Sequence, residues 1–287
     1  MLISTDSVRT LSETLQSSTE TFCNGLYLSA RWFVVSQLGY DDVQLIVLPD
    51  KDSAEYCAAD LYNLIDGDLV FFLPDSGKSL EKSNYKSSLG VQRTSAVGKI
   101  IDHDGGPLYI VTYPSALSEL IPDTGKISGS VLKMSVGDEI PHEDIVQKLF
   151  DSGFTRVDFV AEPGQFAVRG ALIDIFSYSY NNPFRISFFG DEIETISIFD
   201  CNSQLSKEKV QCAEIYPDLM SSESVEGMVH ISDILPDDTL VWLDSSDMYK
   251  DKEFFPLLER FRRVYMELPL SRQNEDSVKF NISPQPS

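Results

Sequence analysis

Residues 164–200, reading GQFAVRGALIDIFSYSYNNPFRISFFGDEIETISIFD, restrict the fold more than any other part of the chain. Four apolar, β-branched or aromatic runs follow one another. Turn residues bound each of them: Pro163-Gly164, Arg169-Gly170, Asn181-Asn182-Pro183 and Gly190-Asp191. The short Gly190-Asp191 connection predicts a tight hairpin between 186–189 and 193–199, with glycine supplying the positive φ that such a turn needs.

Side chains alternate along a strand, so parity assigns faces. Phe184, Ile186 and Phe188 point one way, and Arg185, Ser187 and Phe189 the other. Phe166 and Val168 likewise oppose Gln165, Ala167 and Arg169. An antiparallel sheet with one packed face and one wet face fits this alternation. The wet face then carries Arg169, Arg185 and Phe189, a composition met at interface hot spots. A plainer reading is that Arg169 and Arg185 pair with Asp174, Asp191 or Glu192 as ordinary surface ion pairs.

PGQFAVRGALIDIF, then PFRISFFGDEIETISIFD, then NSQLS resembles a signature shared by two bacterial repair families. These are the UvrB subunit of the excision nuclease and the transcription-repair coupling factors (Mfd). The sequence departs from the pattern at Gln165, where an acid is usual, and at Ser177, where proline is usual. The resemblance implies a small domain that docks UvrA, a damage-sensing ATPase. By motif, Arg169, Arg185 and Phe189 are the residues that engage UvrA, with Asp191 and Glu192 beside them to orient the arginines or rim the interface.

At 287 residues the chain is long enough for two or three modest domains. Its net charge of -22 argues against a general nucleic-acid surface, which needs clustered Lys and Arg. Cys23, Cys57, Cys201 and Cys212 lack CxxC spacing, and His103, His142 and His230 stand far apart, so no zinc site or disulfide framework is expected. The cysteines read as reduced, partly buried cytosolic thiols. No signal peptide or membrane-length segment is visible, so the chain reads as soluble and cytoplasmic.

Residues 1–130 alternate helices (8–15, 28–37, 53–64, 114–120) with strands (44–48, 69–73, 106–112), the pattern of a parallel α/β layer. Two features there suggest a nucleotide. Gly77-Lys78-Ser79 follows a buried strand, but the first glycine of a phosphate loop would fall at Phe72, inside that strand, and the residues after it are too polar for a buried helix. The second is TFCNGLYLSA at 21–30, which stands where UvrB-like ATPases place their phosphate loop. It keeps Gly25 but has Ser29-Ala30-Arg31-Trp32 in place of Lys followed by Ser or Thr. UvrB retains a working loop there, whereas coupling factors carry a degenerate copy, so the chain resembles the coupling factors.

Residues 86–98 read as a polar connector, and they lack the aromatic hairpin with which UvrB threads DNA. GKISG at 125–129 reads as a hinge, and 141–152 as a helix ending at Gly153. Beyond Asp200 the chain is expected to return to the first domain through strands 209–215 and 240–243 and helices 231–235 and 254–264. Asp244 could be taken for a magnesium ligand, but strand-ending aspartates are more often turn residues. The polar end shows no terminal structure and reads as a linker. Nothing else is spaced as a catalytic constellation.

The expected architecture is α/β: a degenerate helicase-like (RecA-like, P-loop-type) parallel-sheet domain in two segments, 1–126 and 209–276. An inserted α+β domain resembling UvrB domain 2 lies at 127–208, and 277–287 is a linker. No catalytic, cofactor-binding or metal residue is expected. The resemblance implies a UvrA-recruiting, non-catalytic region in transcription-coupled repair. In the family, ATP and Mg2+ belong to a C-terminal motor that translocates on DNA and displaces stalled RNA polymerase, through regions absent here. Three alternatives stand beside it: a UvrB-related subunit binding nucleotide through Gly77-Lys78-Ser79, a structural domain whose wet face is masked by the rest of its own chain, and a non-repair interaction protein whose signature is coincidental.

Overall fold

Val43–Val47 is buried at every residue, as are Leu108–Thr112 and Leu240–Leu243. Strands with no wet face belong in a parallel sheet covered on both sides, and these three lie side by side in one. The computed structural model describes residues 5–26, 29–77, 84–180, 182–219, 227–244, 248, 253–266 and 278–279. The chain divides into two units. One comprises Met1–Asp75, Lys99–Leu120 and His230–Ser287, the other Ser76–Gly98 and Ile121–Val229.

In the first unit, β1 (Glu20–Asn24), β2 (Val43–Val47), β3 (Val70–Phe72) and β4 (Leu108–Thr112) combine with three later strands. Its helices are α1 (Thr5–Ser17), α2 (Ala30–Gln37), α3 (Lys51–Leu64), α5 (Pro114–Ser118) and the short α8 (Ile231–Ile234). The late strands are β15 (Leu240–Leu243), β16 (Arg262–Tyr265) and β17 (Val278–Lys279), giving the order β17-β1-β16-β15-β2-β4-β3 with every neighbouring pair parallel. Asp50 caps α3 by accepting from the Ser53 amide at 2.8 Å. Inside the sheet, Trp242 donates its indole N–H to Gln44 Oε1 at 3.0 Å, so both buried polar atoms are satisfied.

The second unit contains α4 (Asn84–Ile101) up to Gly98, α6 (Thr124–Ser130), β6 (Leu132–Ser135), α7 (His142–Asp151) and β7 (Thr155–Arg156). The signature stretch follows as β8 (Gln165–Arg169), β9 (Leu172–Ile175), β10 (Phe184–Phe189) and β11 (Glu192–Phe199), with β12 (Ser206–Val210) and β13 (Cys212–Ile215) after it. β5 (Leu120–Pro122) and β14 (Met228–His230) carry the chain out of the first unit and back. The main sheet runs β12-β11-β10-β9-β8-β7; it is antiparallel except for β7 beside β8. Gly170 and Gly190 turn the hairpins at φ 60° and 66°. On one face Phe166, Ile173, Ile175, Phe184, Ile186, Phe188 and Ile196 bury against Ile145 and Leu149 of α7.

Several expected elements differ. Residues 86–98 are helical within α4, because its inward positions include Gly90, Arg93 and Thr94, which hydropathy does not mark as buried. GKISG is not a hinge: Asp123 caps α6 by accepting from the Lys126 amide at 2.9 Å. Strands at 209–215 do not return to the parallel sheet. β12 edges the signature sheet and β13 pairs with β6, so the second unit extends beyond 127–208 at both ends. Residues 254–264 are a 3-10 turn (Phe255–Leu258) followed by β16, not a helix; a strand reading RRVY hides behind its arginines. The expected linker contains β17, paired with β1.

Candidate functional site

The face of the signature sheet away from α7 centres on one buried acid. Asp174 of β9 lies opposite Ala167 of β8 and Arg185 of β10, and is 1% exposed. Arg185 grips it bidentately, donating from Nε to Oδ1 at 2.7 Å and from Nη2 to Oδ2 at 2.9 Å. Arg169, at the end of β8, donates its Nη2 to the same Oδ2. One carboxylate therefore fixes two guanidinium groups, whose side chains keep 35% (Arg169) and 20% (Arg185) exposure. Hydrogen bonding to Asp174 raises the Arg185 pKa against the opposing pull of burial.

The turn after β11 completes the arrangement. Arg185 Nη1 donates to the Gln204 carbonyl at 3.2 Å, and Gln204 adopts φ 60°, the only positive φ outside glycine among the described residues. Its side chain donates to the Cys201 carbonyl at 2.7 Å, holding that conformation. The Arg185 guanidinium lies 4.3 Å from the Phe199 ring centroid, and that of Arg169 lies 5.1 Å from Phe159. Beneath them Val160, Ala167, Phe176 and Phe199 form a small apolar floor, so this face is only partly wet.

Parity placed Arg169, Arg185 and Phe189 correctly as outward residues, and Phe189 is 79% exposed. The structure brings the two arginines together, while Phe189 stands four residues along β10, about 13 Å at the usual strand rise. The groups that the two arginines bond are Asp174 and Gln204, not Asp191 or Glu192, whose backbones pair with Ile140 and Glu139. Asp174 orients both arginines, and its pairing is buried rather than an ordinary surface contact. An acid inside the otherwise apolar LIDI strand was the available signal. Phe159 and Leu205 were missed altogether; both are exposed, at 63% and 69%.

In the first unit, the carboxyl ends of β1 and β15 carry the residues considered for nucleotide. β1 leads through Gly25 (φ 88°) towards α2, where Arg31 forms an ion pair with Asp244, just past β15. Arg31 also lies 4.9 Å from the Trp32 ring, and Ser29 donates to Asp60 at 2.7 Å. Lys78 and Ser79 lie outside the described residues. Among the described residues no group of His, Cys, Asp or Glu could hold a metal, and no helix is long and apolar enough to cross a membrane. Cys23 and Cys57 are buried, and burial pushes the Cys23 thiol up to about 12 and raises that of Cys57 well above its ordinary value. Cys212, expected to be partly buried, is exposed.

The UvrB interaction domain model matches residues 132–219, from the start of β6 to just past β13. The transcription-repair-coupling factor of Mycobacterium bovis is 33% identical over 186 residues, covering 62% of this chain and 15% of that protein. That of Bacillus subtilis is 28% identical over 202 residues, 69% of this chain and 17% of the relative. UvrABC system protein B of Helicobacter hepaticus is 30% identical over 147 residues, 50% and 22% of the two chains. The chain thus spans about 15–22% of the length of these relatives.

Proposed function

From a chain that is related to transcription-repair-coupling factors and carries a UvrB interaction domain, we propose a region that recruits UvrA in transcription-coupled nucleotide excision repair. The Asp174-fixed pair Arg169 and Arg185 carries this reading. Two guanidinium groups held in place before binding lose little freedom on docking, so more of their contact energy appears as affinity. Phe189 adds exposed aromatic area further along β10, and Asp191 and Glu192 rim the surface at its hairpin.

The first unit we read as a helicase-like, RecA-type layer without catalysis of its own. Its all-parallel sheet supports the first part and the Arg31–Asp244 pair the second, since the acid that would serve magnesium is engaged by an arginine. In the longer protein, ATP, Mg2+, DNA and RNA polymerase would be handled by other regions, and the rest of the chain could cover the UvrA face at rest. The test is binding of this chain to UvrA beside an Arg169→Ala/Arg185→Ala variant, with ATP binding followed in the same samples. Saturable binding lost in the variant, without ATP binding, is the expected result. ATP binding without UvrA binding would overturn the reading.

A further inference from the structure

The arginine pair is the middle of a longer row. Leu205 sits in the turn whose preceding residue, Gln204, accepts from Arg185; Arg185 and Arg169 share Asp174; and Arg169 lies over Phe159. Contacts thus run without a break from the β11–β12 turn across β10, β9 and β8 to the segment between β7 and β8. The two ends of the row are large apolar side chains, 69% exposed at Leu205 and 63% at Phe159. Each of those segments is held to the sheet. Val160 is buried beside Ala167 and Phe199, and the Leu205 carbonyl accepts from the Asp200 amide at 3.0 Å. The backbone at both ends is therefore in place before a partner covers it, and only side-chain freedom remains to be lost.

Single exposed apolar residues are common and mean little. Two that bracket a pair of ordered arginines form a different pattern: ordered arginines are typical of interface hot spots, and the apolar side chains on either side of them would exclude water from the charged centre. The row also has a charge preference. Two guanidinium groups against one carboxylate leave one positive charge in excess, on a chain whose net charge is -22. It complements a protein surface on which apolar depressions flank carboxylates.

We infer that Phe159 and Leu205 are anchor residues of the UvrA interface, inserting into apolar depressions on either side of the acidic groups that meet Arg169 and Arg185. This rests on the reading of the arginine face as the UvrA site, and the test separates the two. UvrA affinity is measured for the chain and for Phe159→Ala, Leu205→Ala, Arg185→Ala and, as control, Tyr56→Ala, which removes an aromatic 76% exposed on α3 of the other unit. Because all but Arg185 are well exposed, their melting temperatures should match that of the parent. The expected result is at least tenfold weaker binding for Phe159→Ala, a several-fold loss for Leu205→Ala, and no change for Tyr56→Ala. Parent affinity in both Phe159→Ala and Leu205→Ala, with Arg185→Ala weakened, would overturn the anchor assignment and leave the arginine site standing. Parent affinity in all variants would overturn both.

Discussion

Arg185 meets Asp174 through two parallel hydrogen bonds, of 2.7 and 2.9 Å, inside a sheet whose acid is 1% exposed. On the proposed function, this pair links fold to function. The carboxylate that stabilises β9 against β10 is also the group that sets the direction of the guanidinium groups offered to a partner.

Removing that carboxylate should therefore damage both. Breaking a buried ion pair from one side leaves charge without compensation and costs roughly 3–5 kcal/mol. With two partly exposed arginines remaining, Asp174→Ala should lose about 3 kcal/mol and bind UvrA more weakly. Calorimetric unfolding is the measurement of choice, because Trp32 and Trp242 both belong to the first unit and report nothing of the second.

The Arg31–Asp244 pair, with side chains 17% and 16% exposed, makes the matching prediction for the first unit. Asp244→Asn should destabilise that unit by about 2 kcal/mol, seen as an earlier tryptophan fluorescence transition in denaturant. The double variant with Arg31→Met should cost less than the two single changes added together.

Asp200 gives a pH signature. The Ser203 amide, then Lys207, lower its pKa from 3.8 to about 2. A carboxyl depressed on folding contributes stability that is fully present above its unfolded pKa and lost as pH falls through the folded one. The stability difference between the parent and Asp200→Asn should thus be constant above about pH 5 and shrink between about pH 4 and 2. A difference that persists unchanged to pH 2 would refute the assigned contacts.

Thiol labelling checks the burial pattern. Cys212 is exposed, whereas Cys23 is buried with its pKa at about 12 and so carries almost no thiolate at pH 8. Cys212 should react with a disulfide reagent first, and Cys23 and Cys57 only after unfolding.

Gly164 takes φ 81° at the entry to β8, and a Cβ there would overlap the Tyr178 hydroxyl. Gly164→Ala should therefore destabilise the second unit by more than the ~1 kcal/mol of an ordinary positive-φ glycine.

Much of this was legible in the residues. The Gly190-Asp191 turn gave the hairpin, and alternation in Phe184–Phe189 gave the outward positions of Arg185 and Phe189, because a strand with one packed face writes its parity into the sequence. Strands such as 44–48 alternating with helices gave the parallel layer, and LVWL read as a strand returning to it. What stayed hidden depended on polar residues in buried places. Arg93 and Thr94 face inward on α4, and Arg263 is buried beside Glu20 in β16, so hydropathy saw a loop in one case and a helix in the other. Asp174 was visible only as one of three possible partners, since choosing among them needs the cross-strand register. Phe159 lies in an irregular segment, where no periodicity announces a face.

The most direct test of the central claim is a calorimetric titration of UvrA with this chain and with Arg185→Ala. Truncating an arginine central to an interface costs on the order of 2 kcal/mol or more, which corresponds to about thirtyfold in Kd. A loss of that size, with the second unit still folded, is the predicted result. An unchanged Kd would contradict the account and remove the Asp174-centred face from the interaction.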